Sequence, residues 1–477
     1  MAKYYPTVGL EIHAELSTRT KMFCACRNDS NAEQPNVNIC PVCMAHPGAL
    51  PVINKKAVEN VIKVGLALGG QIADFSEFDR KNYFYPDIPK GYQISQYKYP
   101  IVAGGRLAGF DITRVHLEED TANNKHIENG EGYSLIDFNR AGVPLMELVT
   151  EPRTFNDTEQ AAKESSNFAK ELQLILRHLG VSEANMELGE MRVEANISLS
   201  PNAKKLGVKV EVKNLNSFKS VERAILYELR RMAELLEKGK GGEIIQETRG
   251  WDEVKGETFS QRKKETSQDY RYFPDPDLPK LKLREAFDLE KMKSELPELP
   301  EAKRKRYKET WGLKDEDIEI YINDAELGEW LQRIAGILQE PQKIKTASNY
   351  IVSDFIGLKK SNLAVKLPSA ENFAELVNLV SVNKISSRVA KDILAKIVLH
   401  DVSPTQIATE NNLMQSSDES ALKEIAQKII ADNPKVVVDY KQGKENAIMS
   451  LVGQIMKATQ GSANPQIVKQ LLLDLLK

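Results

Sequence analysis

The stretch VGLEIHAEL, residues 8–16, alternates between apolar and polar side chains and predicts a β-strand. Successive side chains of a strand point to opposite faces, so the apolar positions from Val8 to Leu16 share one face. The other face carries Glu11, His13 and Glu15. These polar residues form either an ordinary solvated face or a row of metal ligands, and the second interpretation requires partners elsewhere in the chain.

Four further stretches carry the same two-residue period: ITRVHLEED (112–120), YSLIDFNRAGVPLMELVTEP (133–152), MRVEANISLS (191–200) and VKVEVKNLNSF (208–218). In the first, Glu118 lies on the polar face with His116, whereas Glu119 lies on the apolar side. The second predicts two strands joined around residues 140–144. Strands with one apolar and one charged face favour a half-open antiparallel sheet. Its polar face is either solvated or a concave binding surface, and Glu147 within VPLMELV favours the second.

Helical spacing interrupts the predicted strands twice. Residues 54–70, NKKAVENVIKVGLALGG, predict a helix with Asn54 as its N-cap. Residues 217–242 predict a longer helix that follows a strand directly, which places Asn214, Asn216 and Ser217 at its N-terminus. Free amides and the helix dipole favour anions at such a terminus, although most helix termini bind nothing.

The composition changes after a proline-rich stretch between Pro274 and Pro300, beyond which short amphipathic helices follow one another. A second boundary is predicted near LHDVSPTQIA, residues 399–408. The sequence therefore predicts the α+β class. An N-terminal domain at 1–294, built on a largely antiparallel sheet with helices, is followed by an all-α helical domain at 295–404 and a small all-α tail domain at 405–477.

The overall composition excludes several classes of protein. The chain has 477 residues, 41% hydrophobic and 28% charged, with a net charge of −3, so any nucleic-acid surface must be local. No apolar run approaches the roughly 18 residues that a membrane helix needs. The first residues, MAKYYPTVGL, resemble neither a signal peptide nor a transit segment. We therefore expect a cytoplasmic protein without a membrane partner.

All four cysteines, Cys24, Cys26, Cys40 and Cys43, lie within twenty residues of one another. Two close pairs joined by a polar loop have the spacing of a zinc knuckle, because four thiolates satisfy tetrahedral Zn²⁺. Disulfides are disfavoured in a reducing compartment, and unpaired buried thiols are disfavoured by the clustering. We predict a structural zinc site with no open position for chemistry.

The remaining chemistry is that of carboxylates and histidine. The sequence contains no phosphate-binding G-x4-G-K-[ST] loop, no G-x-S-x-G elbow and no G-x-G-x-x-G motif. Glu11 and His13 lie about 7 Å apart along their strand, and Glu118 and Glu147 lie on other predicted strands of the same sheet. Oxygen-rich sites with one imidazole suit Mg²⁺ or Mn²⁺.

Long motifs throughout the chain support a resemblance to one family. They are VGLEIHAELSTRTKMF, HPGALPVIN, FDRKNYFYPDIPKGYQISQ, VHLEED, DFNRAGVPLMELVTEP, KNLNSF, DYRYFPDPDLP and LVGQIMKATQGSANP. In this respect the chain resembles, over essentially its full length, the B subunit of the bacterial-type glutamyl-tRNA(Gln)/aspartyl-tRNA(Asn) amidotransferase, an enzyme of three subunits.

The resemblance implies that the chain uses ATP and Mg²⁺ to phosphorylate the side-chain carboxylate of Glu-tRNA(Gln) or Asp-tRNA(Asn). Ammonia from the amidase subunit of the complex then gives the amide. The implied partners are tRNA, this amidase subunit, and a small third subunit. The implied fold is a cradle domain followed by helical and tail domains that reach the tRNA. The implied metal-binding, catalytic residues are Glu11, His13, Glu118 and Glu147.

Basic and aromatic residues supply further candidates. Those for ATP or phosphate are Arg140, Lys213, Asn214 and Ser217, and those for the tRNA acceptor end are Lys81, Tyr83, Tyr85 and Lys90. Lys81 is also a candidate to clamp phosphate. The alternatives are surface ion pairs for the basic residues and a packed aromatic loop for the rings. A non-catalytic tRNA-binding scaffold or a metal-dependent hydrolase are the competing functions, but a scaffold has no use for converging carboxylates.

Overall fold

The computed structural model describes residues 4–126, 133–263, 269–414, 419–444, 446–459, 463 and 465–476. The chain forms two compact units, Met1–Pro300 and Glu301–Lys477. The first unit contains the strands together with helices, and the second is helical. This confirms the predicted α+β class.

The strands of the first unit follow one another closely along the chain. They are β1 Tyr5–Glu15, β2 Gln71–Ile72, β3 Phe75–Ser76, β4 Asp79–Asn82, β5 Tyr92–Ser95, β6 Val102–Ala103, β7 Arg106–Leu107, β8 Phe110–Glu119, β9 Asn123–His126, β10 Ser134–Asp137, β11 Pro144–Thr150, β12 Arg153–Thr154, β13 Met191–Ser200, β14 Val210–Leu215, β15 Glu247–Asp252, β16 Glu257–Lys263, β17 Phe273–Pro274 and β18 Leu281–Lys282.

The largest sheet has the order β16-β15-β14-β13-β1-β11-β8-β6-β2. Its neighbouring strands are antiparallel except for the parallel pair β14 and β15. Strands β17, β4 and β5 form a separate three-stranded sheet. The predicted pair of strands within residues 133–152 exists as β10 and β11, but β10 pairs with β9 and not with β11. The hydrophobic period defines each strand, whereas the pairing partner depends on the rest of the fold.

The helices of the first unit are α1 Lys55–Ala67, α2 Thr158–His178, α3 Phe218–Glu237, a 3₁₀ turn at Gly241–Glu243, α4 Leu283–Ala286 and α5 Leu289–Ser294. Helices α1, α2 and α3 pack on β8, β1 and β13 respectively. The apolar side chains of β1, from Val8 to Leu16, are buried in this core, as the alternation predicts. Because the helices cover the apolar face of the sheet, the polar side chains of β1 lie on the opposite face.

Side-chain caps begin two of these helices: Asn54, as the sequence predicts, and Ser217, which the sequence places only near the N-terminus of its helix. Asn54 accepts hydrogen bonds from the backbone N–H groups of Lys56 and Ala57. Ser217 accepts one from the backbone N–H of Ser220 and begins α3. Each cap satisfies amides that the first helical turn leaves without partners.

The second unit is built from short helices: α6 Pro300–Trp311, α7 Asp315–Asn323, α8 Ala325–Leu338, α9 Pro341–Tyr350, a π-helical turn at Ile351–Phe355, α10 Ile356–Ser361, α11 Ala370–Ser381, α12 Ser387–His400, α13 Pro404–Glu410, α14 Glu419–Asp432, α15 Pro434–Lys441, α16 Ala447–Ala458 and α17 Pro465–Leu476. Residues of α14, α16 and α17 share a hydrophobic core of their own. Among the described residues, no helix combines the length and hydrophobicity needed to cross a membrane.

Candidate functional site

Three adjacent strands, β1, β11 and β8, bring together histidine and glutamate residues that are far apart in sequence. In the strand register, His13 lies opposite Glu147, and Glu147 lies opposite His116. The three side chains therefore form a row across the strands. Glu11 and Glu118 lie two residues from His13 and His116 on the same faces of their strands. The extended backbone thus places five side chains on one patch of the sheet. We call it the acidic patch, and its members are Glu11, His13, His116, Glu118 and Glu147.

The imidazole of His13 is at the centre of this patch. Its Nε2 lies 3.3 Å from a carboxylate oxygen of Glu147, 3.6 Å from one of Glu118 and 3.8 Å from one of Glu11. Nε2 of His116 lies 3.5 Å from Glu147. Structure and sequence agree on the position of the four predicted residues: Glu11, His13, Glu118 and Glu147 converge.

The ionisation of the patch reflects its burial. Burial, followed by the charge of Glu147, raises the pKa of Glu11 to about 7, and burial also raises the pKa of Glu118. Burial opposes a charged His13, but its hydrogen bond to Glu147 and the surrounding carboxylates raise its pKa to about 9. Burial lowers the pKa of His116 to about 4. Burial also acts to raise the pKa of Glu147, but His116 and His13 lower it below its ordinary value.

The donor set of this patch fits a divalent cation. Donor atoms lie within 4.8 Å of one another in two overlapping groups, Glu11 with His13 and Glu147, and His116 with Glu118 and Glu147. Burial and the charge of Glu147 raise the pKa values of Glu11 and Glu118, and a bound cation would favour the ionised forms of both carboxyl groups. Oxygen-rich sites with imidazole suit Mg²⁺ and Mn²⁺.

Lys81, on β4, faces the same carboxylates from the neighbouring sheet. The charges of Glu118 and Glu147 raise its pKa, although burial by itself acts to lower it. Its Nζ lies 5.1 Å from the centre of the Tyr270 ring. Lys81 also lines an open cavity of about 1000 Å³, together with Tyr83, Tyr85 and Tyr270. The cavity therefore combines aromatic walls with an ammonium group beside the acidic patch.

The four cysteines also converge. The Sγ atoms of Cys24, Cys26, Cys40 and Cys43 lie within 4.8 Å of one another, and none forms a disulfide. The backbone N–H of Cys40 donates a hydrogen bond to Sγ of Cys43 at 3.1 Å. The hydrogen bond with Cys24 is the main cause that lowers the pKa of the Cys43 thiol, to about 5. Four converging sulfur atoms without a disulfide fit a tetrahedral zinc ion.

Both clusters lie in a region of the chain that matches a known family model. Residues 6–288 match the family model of the GatB/GatE catalytic domain, which spans β1, β8 and β11 and therefore the acidic patch. Residues 333–476 match the model of the GatB domain. The chain belongs to the GatB family. The resemblance inferred from the sequence motifs is thereby confirmed.

Curated relatives match this chain from end to end. The protein of Persephonella marina is 41% identical over 488 residues, which cover 100% of both chains. Those of Caldicellulosiruptor saccharolyticus and Moorella thermoacetica are 42% and 43% identical, and each comparison covers at least 99% of both chains. All three relatives are named as the B subunit of aspartyl/glutamyl-tRNA(Asn/Gln) amidotransferase.

Three of the residues predicted to contact phosphate, Arg140, Lys213 and Ser217, have partners within the protein. The guanidinium of Arg140 donates hydrogen bonds to the carbonyls of Thr121 and Ala122. Nζ of Lys213 lies 2.7 Å from a carboxylate oxygen of Glu194. Ser217 caps α3, and Asn214 is an exposed residue of β14 with a positive φ of 65°. Neither basic group lies free in the acidic patch, so their roles in phosphate binding stay predictions.

The residues predicted to contact the tRNA acceptor end divide into two groups. Lys81, Tyr83 and Tyr85 line the aromatic cavity. Lys90 lies outside that lining, and its Nζ is 2.6 Å from a carboxylate oxygen of Glu119. The structure therefore places the aromatic candidates, but not Lys90, at the cavity.

Two residues outside the predicted ligand set, His116 and Arg114, lie close to Glu147. His116 shares its face with Glu118 in the alternation of ITRVHLEED, but only the adjacency of β11 and β8 places it against Glu147. Arg114 lies 3.8 Å from Glu147 for the same reason. The sequence places both residues on the polar face of their strand, together with Glu118. It does not give the strand order, which is needed to place them next to Glu147.

Proposed function

We propose that this chain is the subunit of a tRNA-dependent amidotransferase that activates the amino acid. The reaction converts Glu-tRNA(Gln) to Gln-tRNA(Gln), or Asp-tRNA(Asn) to Asn-tRNA(Asn), at the expense of ATP. The enzyme is an ATP-dependent, glutamine-hydrolysing carbon–nitrogen ligase of several subunits. The observation that carries the proposal is the convergence of Glu11, His13, Glu118 and Glu147 in a member of the GatB family.

The proposed reaction has two steps. A side-chain carboxylate oxygen of the aminoacyl-tRNA attacks the γ-phosphorus of ATP, and ADP leaves with the electron pair of the broken P–O bond. Ammonia then attacks the acyl carbon, the C–O bond to phosphate breaks, and the departing phosphate accepts the proton that the nitrogen loses. The products are the amide, ADP and phosphate.

The acidic patch is the proposed magnesium site. Bound Mg²⁺ would neutralise the negative charge that gathers on phosphate oxygens when a carboxylate approaches ATP. Glu11, His13, Glu118 and Glu147 are the proposed ligands, and His116 is a further donor within reach. The strand backbone holds these side chains in place, so the site requires little rearrangement before the substrates bind.

The aromatic cavity beside the patch is the proposed site of the aminoacylated tRNA end. Single-stranded nucleotides bind to proteins by stacking on aromatic rings beside cationic groups. Tyr83, Tyr85 and Tyr270 supply the rings, and Lys81 supplies the positive charge between the rings and the carboxylates. An amino acid attached to the terminal nucleotide would thus reach the magnesium site.

We expect the Lys81→Met variant to lose about 100-fold in kcat/KM for amidation, because the ammonium group contributes a charge-assisted contact to bound phosphate or carboxylate. Steady-state rates with varied ATP and aminoacyl-tRNA provide the measurement. Lys98→Met is the matched control, since Lys98 lies over the ring of Tyr99 and lines no part of the cavity. A Lys81→Met enzyme with the rate of the control would exclude this role.

The remaining proposals concern the metal knuckle and the partners. Cys24, Cys26, Cys40 and Cys43 are the proposed ligands of a structural Zn²⁺. The helical domain at 295–404 and the tail domain at 405–477 are proposed to contact tRNA, and the complex is proposed to act in the cytoplasm. Because all four cysteines are assigned to zinc, none is left to act as the nucleophile that hydrolyses glutamine. Ammonia must therefore come from a glutamine-hydrolysing partner. We assign this role to the amidase subunit of a heterotrimer that also contains a small third subunit.

The proposed function is tested with the purified complex, Glu-tRNA(Gln), ATP and Mg²⁺ in the absence of glutamine. We expect phosphate release that requires the charged tRNA, because water hydrolyses the acyl phosphate formed in the first step when ammonia is absent. A tRNA-binding scaffold would release no phosphate in this assay. A metal-dependent hydrolase would release it equally with uncharged tRNA, and either result would contradict the proposal.

A further inference from the structure

Lys21 is a lysine with no solvent exposure, separated from Cys24 by Met22 and Phe23. Its ammonium donates a hydrogen bond to the backbone carbonyl of Phe138 at 3.0 Å. No carboxylate oxygen within the described ranges of the chain lies within 4.0 Å of it. An ammonium group can donate three hydrogen bonds, and its burial without a negative charge nearby is strongly unfavourable. The fold therefore buries a positive charge for which the acidic side chains provide no partner.

The backbone places Lys21 against the cysteine cluster. Its N–H donates to the carbonyl of Cys26 at 3.0 Å, which ties it to the first cysteine pair. Gly142 lies between Lys21 and the second pair. A β-carbon at Gly142 would lie 3.7 Å from Cδ of Lys21 and 3.8 Å from Cβ of Cys43. The lysine stem and Cys43 therefore pack against the same glycine, which places the Lys21 side chain beside the second cysteine pair.

The charge of a zinc–thiolate centre explains this arrangement. Four thiolates around Zn²⁺ form a dianion, and the groups that surround a metal centre tune its affinity through charge and hydrogen bonds. Arg27, the cation within the knuckle loop, has a side chain that is 76% exposed and lies 3.3 Å from Asp29, so water and Asp29 already compensate its charge. We infer that Lys21 is the buried counter-ion of the proposed zinc–tetrathiolate centre and raises its affinity for zinc. This inference rests on the zinc site of the proposed function.

The inference predicts effects of opposite sign in the two metal states. With zinc bound, the Lys21 charge stabilises the dianion. After zinc is removed and the other thiols take up protons, the same buried charge loses most of its negative partner. Replacement by methionine, which has a similar length and no charge, should therefore weaken zinc binding but leave the metal-free protein as stable as the metal-free wild type, or more stable.

The experiment measures zinc affinity in the full-length chain by competition with a chromophoric chelator, and thermal unfolding with and without zinc. The variants are Lys21→Met, Lys21→Gln and the control Arg27→Met. Glutamine retains a donor for the Phe138 carbonyl but carries no charge. We expect about a 10- to 100-fold loss of affinity in Lys21→Met and Lys21→Gln, and a change of less than about twofold in Arg27→Met because its charge is exposed.

Each other outcome identifies what is wrong. If wild type holds no zinc as purified or after reconstitution, the zinc site itself fails, and the counter-ion role fails with it. If wild type binds zinc and both Lys21 variants bind it equally well, only the counter-ion role fails. If Lys21→Met unfolds at a lower temperature in both metal states while Lys21→Gln behaves as wild type, Lys21 acts through its hydrogen bond to Phe138. Should Lys21→Met not fold, the affinity of Lys21→Gln alone decides.

Discussion

The Glu147→Gln substitution should reduce tRNA-dependent phosphate release and amidation by about 10³-fold or more, the scale of losing a central electrostatic group in an active site. Glu147 contacts His13 and His116 and belongs to both groups of possible metal ligands. Its lowered pKa keeps it ionised at neutral pH. Glutamine preserves the volume but removes the charge, so the measured loss reports on the negative charge and not on packing.

The matched control for this variant is Glu151→Gln, one residue beyond the end of the same strand. The Glu151 side chain is exposed and accepts a hydrogen bond from Thr113, away from the acidic patch. Its rates should remain within about twofold of wild type, since single exposed polar contacts contribute little. The unfolding temperature of Glu151→Gln should stay close to that of wild type, whereas that of Glu147→Gln should fall, because the lowered pKa of Glu147 means that its charge stabilises the fold at neutral pH. A Glu147→Gln complex that retains a tenth or more of the wild-type phosphate release would contradict the metal-site assignment.

The activity of the Glu147→Gln variant at higher Mg²⁺ concentration provides a second test of the metal site. An amide oxygen is a weaker ligand than a carboxylate, so part of the lost rate should return as the Mg²⁺ concentration rises. The control should show no such dependence beyond that of wild type. Loss without any recovery would indicate that Glu147 acts on the substrates directly.

The sequence predicts the local features of this site because one face of each strand is buried in a core. The apolar residues of β1 fix which face it turns inward, and this places Glu11 and His13 together on the other face. The same rule distinguishes Glu118, which lies near His13, from Glu119, which pairs with Lys90. A shift by one residue would reverse both faces, so the alternation is strongly constrained.

Strand order and side-chain pairing cannot be obtained in this way. The order β1-β11-β8 places β1, at Tyr5–Glu15, in one sheet with strands that begin only at Phe110 and Pro144, and the adjacency of β11 and β8 alone adds His116 to the patch. The basic residues show the second limit. Arg140 and Lys213 have the charge that phosphate binding requires, but the fold provides them with internal partners. The residue type determines which interactions a side chain can make, whereas the tertiary structure determines which partner it contacts.

The Cys43→Ser substitution should abolish zinc binding and lower the unfolding temperature of the N-terminal unit by roughly 5–15 °C. Zinc binding to a four-cysteine site contributes directly to folding, and a loss of a few kcal/mol corresponds to a shift of about this size in a domain of this length. The knuckle also holds the loops beside the acidic patch. The N–H of Met22 donates to the carbonyl of Gly142 at 2.7 Å, two residues before β11. We therefore also expect slower amidation, measured together with metal content and thermal unfolding.

Val37→Ala is the control, because Val37 is exposed in the loop between the two cysteine pairs and its truncation should leave zinc content and stability unchanged. The stability of the wild-type protein shows whether the four cysteines bind zinc or form disulfides. A zinc centre loses stability when a chelator is added and keeps it in a reductant, whereas a disulfide shows the reverse. The free thiols of all four cysteines favour the first result. Normal zinc content in the Cys43→Ser protein would exclude the tetrathiolate centre, because that centre requires all four cysteines. Destabilisation of the wild-type protein by a reductant alone would also exclude it.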